Sequence, residues 1–446
     1  MREGSLEAPV RHPIAWQDAA YYDSDKLDAE LRRVFDICHT CRRCFNLCDS
    51  FPRLFDLIDN SETGELESVA SADFVRVIDA CTLCDMCFMT KCPYVPPHEF
   101  DVDFPHLMLR ARAAQAKRGE LTFADRALAA TDRNGRLARL AAPLFNWATD
   151  RRNGRMRVWL ERNAGLHHDA DLPKYAGKPF TLDTAPPVNT AAPAHGRKAV
   201  LYATCFVNYN EPAIGGAARA VLAHNGVETE VAHPACCGMP RLEQGRVDAV
   251  ATAARVVAGK LGAWIDRGYD VIALVPSCAL MVKFEWPLIL PDDAAVKRLA
   301  GASFDLSEYV LDIARKEGMA PGLRAVPGGI ALHIACHARA QNMGQKAAEM
   351  LRLLPDTEVE VVERCSGHGG AWGYKLPHFE TALKLGRPTA RRVRESGKAF
   401  VASECPLAGA HIRQEMERLG GERPAPTLQG HPIQLLARAY GLETMP

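Results

Sequence analysis

A chain of 446 residues is too long for one hydrophobic core and leads us to expect roughly two to four domains. Its 54 Lys+Arg balance 54 Asp+Glu, so the formal net charge is zero and the basic excess of a nucleic-acid binder is missing. The start, Met1-Arg2-Glu3-Gly4, has no apolar signal core, and no run nears the roughly 18–20 apolar residues of a membrane span. The expectation is therefore a cytoplasmic protein with no transmembrane segment and no nucleic-acid partner. Fifteen cysteines in such a chain point to metal ligation or redox chemistry rather than to disulfides.

Residues 1–24 read as a polar, proline-containing tail. From Asp25 the pattern turns helical, with Leu27, Leu31, Val34 and Phe35 on one face. A second helical stretch, SADFVRVIDAC, precedes a second cysteine group, so 25–105 reads as an all-α domain. The next stretch, from 106 to about 165, is rich in Arg, Ala and Leu and reads as helices broken at Asn134-Gly135 and Asn153-Gly154. Its positive charge marks a solvated face, or a docking surface for an acidic partner or a membrane. Residues 166–196, rich in Pro, Ala and Thr, read as a linker that completes a 106–196 segment.

The remainder is an internal repeat, 197–325 and 326–442. KAVLYATCF matches GIALHIACHA, GVETEVAHPACCG matches DTEVEVVERCSG, and GYDVIALVPSC matches GKAFVASEC. Cys336 follows Cys205 by 131 residues, Cys365 follows Cys236 by 129, and Cys405 follows Cys278 by 127. Short apolar runs that end in cysteine alternate with helical segments. That pattern is expected of parallel α/β sheets, with the cysteines at the carboxyl ends of the strands, where such sheets place their sites.

The N-terminal cysteines form two groups, Cys38-x2-Cys41-x2-Cys44-x3-Cys48 and Cys81-x2-Cys84-x2-Cys87-x4-Cys92-Pro93. Three thiolates two residues apart can reach three irons of one cubane, while the fourth cysteine of each run ligates the other cluster in two-cluster proteins. The spacing therefore predicts two [4Fe–4S] clusters. One takes Cys38, Cys41, Cys44 and Cys92, and the other takes Cys81, Cys84, Cys87 and Cys48. Zinc sites use pairs rather than such triplets. Asp49 stands where a proline usually follows the first group, and the second group has one extra residue before Cys92.

Repeat one carries Cys205, Cys236, Cys237 and Cys278, and Gly238 permits close approach of a bulky ligand. Repeat two carries Cys336, Cys365 and Cys405, with Ser366 in place of the second adjacent cysteine. CCGMP, PSCALMVKFEWP, ACHAR, CSGHGGAWGYK and the N-terminal cysteine groups together resemble the CCG-domain iron–sulfur oxidoreductases. That family includes subunits of anaerobic glycerol-3-phosphate dehydrogenase, glycolate oxidase and heterodisulfide reductase. The resemblance covers about 30–110 and 198–440. It implies an all-α two-cluster ferredoxin domain followed by a duplicated α/β CCG domain.

The resemblance further implies an electron-transfer subunit of a flavin-dependent dehydrogenase, of glycerol-3-phosphate or 2-hydroxy-acid type. Electrons would come from a flavoprotein partner and leave toward a quinone or another acceptor, with the chain peripheral at the inner face of the membrane. Substrate oxidation would then rest on the partner, and no catalytic residue is assigned here. The alternative is a heterodisulfide-reductase-like enzyme acting at a CCG-bound cluster. Against it, Ala279, Leu280 and Met281 follow Cys278, and Pro406, Leu407 and Ala408 follow Cys405, so both repeats lack the last cysteine of a full motif. A third reading makes the C-terminal half a structural or zinc-holding module. Repeat one offers four thiolates for a further cluster; repeat two offers three and would need His333, His337 or His368 as a fourth ligand. The glycines of GHGGAWG do not match a nucleotide-binding fingerprint.

Overall fold

The computed structural model describes residues 9–420, 426–428 and 430–442. The first eight residues of the expected tail lie outside the described residues. The chain forms two compact units: Met1–Ala129 with Gly238–Ala251 and Leu288–Pro291, and Ala130–Cys237 with Thr252–Pro287 and Asp292–Pro446.

The first unit is helical. Helix α1 (Ser24–Cys41) starts at Asp23, whose carboxylate accepts from the amides of Asp25 and Lys26, and ends at Arg42 in the left-handed conformation. Its buried face is Leu27, Leu31, Val34 and Phe35, as the periodicity predicts. Helices α2 (Ser50–Asp59), α3 (Val75–Ala80) and α4 (Phe104–Lys117) close the core. Phe35, Phe51, Phe74 and Phe104 meet there with ring centroids 4.7–6.1 Å apart. Aromatic rings carry much of the burial in such a small unit. The part of the tail that is described is packed rather than free: Val10 donates to Pro96 O, Ile14 to Leu288 O, and the Trp16 indole to Ile289 O. Helix α5 (Phe123–Leu128) ends this stretch of the unit.

The second unit opens with three short helices, α6 (Thr131–Ala138), α7 (Ala142–Ala148) and α8 (Gly154–Ala164). Asn153 caps α8, matching the expected break there, but α6 runs straight through Asn134-Gly135. Gly135 lies against the ring of Tyr209, where a Cβ would overlap it, so this glycine serves close packing and not a turn. Residues 166–196 also differ from a free linker. The buried Arg157 guanidinium donates to the carbonyls of His167, His168 and Ala170, and Phe180 is fully buried against Gly215. An extended proline-rich stretch has few internal hydrogen bonds, and side chains such as Asn146 and Asn210 supply them.

The repeats build two four-stranded, all-parallel sheets of identical order. The first is β2 (Glu228–Ala232), β1 (Lys198–Tyr202), β3 (Asp270–Ala273) and β4 (Ser303–Asp305). The second is β6 (Val359–Val362), β5 (Ile330–His333), β7 (Phe400–Ser403) and β8 (Thr427–Leu428). Ala199–Tyr202 and Ile330–His333 are buried at successive positions, as in strands covered on both faces. Strand order reverses beside β1 and β5, and the segments that follow β1, β2, β3 and their partners, loops or the first turns of helices, carry all seven C-terminal cysteines.

Candidate metal centres

None of the fifteen cysteines is in a disulfide. In the first unit, Cys38 and Cys41 sit in the last turn of α1, Cys44 and Cys48 in the loop into α2, and Cys81 just past α3. Burial, then the neighbouring sulfurs of Cys92, Cys44 and Cys41, push the Cys38 thiol well above its ordinary range. Burial, then Cys84 and Cys81, do the same to Cys48. The Cys44 thiol is pushed up to about 12 and that of Cys92 to about 11, burial again leading. Cys92 thus acts electrostatically on Cys38 and Cys44, and Cys84 and Cys81 act on Cys48. Cys87 senses Cys84, Cys81 and Cys48, and also Cys44, so the two sets adjoin.

Local backbone makes this convergence possible. Leu83 and Asp85 both take positive φ, 48° and 64°, which turns the Cys81–Cys87 loop back on itself. Non-glycine residues bear about 1 kcal/mol or more each in that conformation. Arg11 holds the loop by donating to both Asp85 oxygens at 2.7 and 3.1 Å and to Asp103, and it lies 4.4 Å over the Phe88 ring. The extra residue before Cys92 is absorbed by a widened, π-type turn over Cys87–Lys91, in which Cys92 N–H donates to Cys87 O at 2.8 Å. Arg112 donates to the carbonyls of Ile78 and Cys81, placing a fixed positive charge beside that set.

The donor chemistry discriminates between metal groups. Four thiolates on one zinc ion would lie roughly 3.8 Å apart, from Zn–S bonds of about 2.3 Å. Among the described residues, the one group of three or more His, Cys, Asp or Glu ligand atoms mutually within 4.8 Å is Glu161, His167 and His168. In that group, Glu161 is already engaged by the backbone and ring nitrogens of His168. Neither N-terminal cysteine set is drawn in as tightly as a zinc tetrahedron, and all-sulfur donation from a wider cage fits a multi-iron group.

In the second unit the four sulfurs of repeat one form a continuous chain. Cys205 and Cys236 lie 3.6 Å apart and Cys237 and Cys278 3.1 Å apart. Hydrogen bonding to Cys236, then burial, raises the Cys205 thiol well above its usual range. Thr204, just before Cys205, has φ 55°, and Gly238, just after Cys237, has φ 89°. Tyr202 lies at the end of β1 beside these sulfurs and donates to Ala235 O. Asp132 at the start of α6 accepts the Cys236 amide at 2.6 Å and pairs with His233 at 2.7 Å. The buried Trp286 indole donates to Cys237 O at 3.1 Å. None of these supports is visible in a cysteine pattern; only the juxtaposition of Asp132 and Cys236, 104 residues apart, reveals the first.

Repeat two is arranged otherwise. Cys336, Cys365 and Cys405 occupy the equivalent positions after their strands, with Cys365 exposed and accepting from Gly367 N–H. The Cys405 thiol is pushed up to about 11, chiefly by burial and in part by Cys278 of repeat one. Of the three histidines considered as a fourth ligand, His333 has both ring nitrogens engaged: Nε2 with Arg364 O at 3.0 Å and Nδ1 with Ser403 Oγ at 2.8 Å. That makes it a structural strand residue and not a ligand. His337 Nδ1 bonds Ser277 Oγ across the repeats at 2.9 Å. His368 is buried and keeps Nδ1 without a partner; burial, then His411 and His337, lower it to about 3. Beside Cys405, the buried Glu404 carboxyl is held well above its usual range by burial and by Asp305. Asp305 itself, which caps the helix Leu306–Lys316, is raised to about 6, burial leading. Asp305 and Glu404 are buried acids that the sequence reading missed. An Asp at the start of a helical pattern signals a cap, and nothing local signals its partner from the other repeat.

A protein-family model described as a cysteine-rich domain, CCG, matches residues 199–283 and again 330–413. Over 342 residues, 76% of this chain and 82% of the relative, the sequence is 27% identical to an anaerobic glycerol-3-phosphate dehydrogenase subunit from Escherichia coli. It is 27% identical over 231 residues, 50% of this chain and 43% of the relative, to a fumarate reductase (CoM/CoB) subunit from Methanothermobacter marburgensis. With lactate utilization protein A of Bacillus cytotoxicus it shares 27% identity over 234 residues, 50% of this chain and 93% of the relative.

Proposed function

We propose that this chain, with its two CCG cysteine-rich domains behind a helical eight-cysteine unit, is the electron-transfer subunit of a flavin-dependent dehydrogenase. The single observation that supports the reading is that the two cysteine groups influence each other, the Cys38 thiol being raised in part by Cys92 and the Cys48 thiol by Cys84 and Cys81. In this reading Cys38, Cys41, Cys44 and Cys92 hold one [4Fe–4S] cluster, Cys81, Cys84, Cys87 and Cys48 hold a second, and the helical unit acts as a two-cluster ferredoxin. Such clusters, when bound, accept and release single electrons.

The protein's own part is to set ligand charge and surroundings. Burial favours neutral thiols in the empty chain, so loading releases protons and grows tighter as pH rises. Arg112 offsets some of the negative charge that thiolates bring. The partner is a flavoprotein that oxidises a small hydroxylated or carboxylated substrate, as the relatives' names suggest, and the acceptor is a quinone.

The test is anaerobic purification with iron and acid-labile sulfide counted per chain. The expected result is about eight irons for the helical unit and about four more if repeat one is loaded. A count below about four, or zinc in place of iron, overturns the reading. Reduction of the bound iron by a co-purifying flavoprotein supports the partner assignment; an isolated chain that oxidises the substrate alone refutes it. A second reading, reductase chemistry at the CCG domains, is favoured by the buried, unpartnered Glu404 oxygen beside Cys405 and the buried, unpartnered Nδ1 of His368 in the same repeat. A new paramagnetic signal on adding a thiol or disulfide would support it.

A further inference from the structure

We propose that helices α6–α8, residues 130–164, dock this chain onto an anionic lipid membrane. Fifteen large hydrophobic side chains are exposed among the described residues, and seven of them fall between 137 and 159. Leu140 is 74% exposed, Leu144 60%, and Leu137, Trp147 and Trp159 57% each. Leu137 lies in α6, Leu140 in the short turn after it, and Leu144 and Trp147 three residues apart on one face of α7. In α8, Val158 and Trp159 are exposed between Arg155 and Arg162. Water-facing leucine and tryptophan at this density have no use in a merely solvated helix face.

The charge selects the occupant. The stretch has eight arginines and three acids in a chain whose net charge is zero. The acids are already engaged: Asp132 by His233 and the Cys236 amide, Asp150 by Arg152, Glu161 by His168. Of the arginines only Arg157 is buried; Arg151 and Arg152 are exposed but pair with Glu417 and Asp150, and Arg133, Arg136, Arg155 and Arg162 are exposed. Short amphipathic helices that alternate Arg with Leu and Trp are the composition that lies in a lipid interface, with indoles at headgroup depth and arginines on phosphates. No described helix is long and apolar enough to cross a membrane, so the attachment is peripheral. Attachment there would present the chain to a lipid-soluble acceptor.

The experiment is sedimentation of the full, anaerobically purified chain with vesicles. One set mixes phosphatidylglycerol with phosphatidylcholine; the other is phosphatidylcholine alone. The expected result is binding to the anionic set, a blue shift of tryptophan emission, and release in about 0.5 M salt. The double variant Leu140→Ser/Leu144→Ser should weaken vesicle partition at least about tenfold, and Arg136→Glu/Arg155→Glu should remove the preference for the anionic lipid. Iron content and circular dichroism of each variant report folding, and the wild-type dependence on lipid and salt stands without them. Absence of binding, or equal binding to both sets, overturns the proposal. So do variants that keep vesicle binding but lose a flavoprotein partner, because the surface would then belong to that protein. The vesicle readout does not depend on cluster loading, so it can fail while the electron-transfer reading stands, and the reverse.

Discussion

Replacing Cys48 by serine separates crossed from uncrossed ligation. Cys48 lies four residues from Cys44 in sequence, yet its sulfur is influenced by those of Cys84 and Cys81. Removing it should therefore empty the set on Cys81, Cys84 and Cys87. With one of two clusters on each set, as proposed, the expected loss is about four irons of about eight in the helical unit, and about half of that unit's visible absorbance. The residual signal should match that of Cys87→Ser and differ from that of Cys44→Ser. Conversely, Cys92→Ser should match Cys38→Ser. The assay is iron and sulfide analysis with paramagnetic resonance of the dithionite-reduced chain across these variants. Should Cys48→Ser reproduce the Cys44→Ser spectrum, each group would bind its own cluster and the crossed assignment would be wrong.

Asp305 gives a pH prediction. Its folded value of about 6 lies above the ordinary 3.8, so its proton is held more tightly in the fold. Its contribution is fully present below about pH 4 and lost as pH rises through 6, a cost on the order of 3 kcal/mol at pH 8. Lys283, Glu308, Gln341 and Glu404 face it, and Asp305 and Glu404 titrate as a pair. Asp305→Asn keeps the cap on the Ser307 amide and should flatten the fall in denaturation midpoint between pH 4 and 8; an unchanged slope counts against the assignment. Gly367→Ala places a Cβ on Ala382 O at φ 76° and should cost about 3 kcal/mol or more, read as a lowered melting temperature, and a loss below about 1 kcal/mol would contradict the contact. Trp286→Phe removes the donor to Cys237 O and should cost about 1–3 kcal/mol beyond its lost volume, which Trp286→Leu, lacking the same donor, should share in denaturant titration.

The sequence by itself determined the parts whose signals are local. Cysteines two residues apart are brought together by one turn of chain, and the α1 face repeats every three or four residues, so both are legible without tertiary contacts. The duplication was legible too, because strand, helix and cysteine recur in one order, and the structure returns two sheets of the same topology. Tertiary structure decided what depends on distant neighbours. It brought Asp132 onto the Cys236 amide, Arg11 onto Asp85, and Asp305 toward Glu404. It kept α6 helical through Gly135 because Tyr209 needs the space of the missing Cβ, and it turned an apparent linker into backbone packed around Arg157 and Phe180. It engaged both nitrogens of His333 with neighbouring strand and loop atoms. Each outcome is set by which surfaces exclude water together, and a single chain position carries no record of the partner it will meet across the fold.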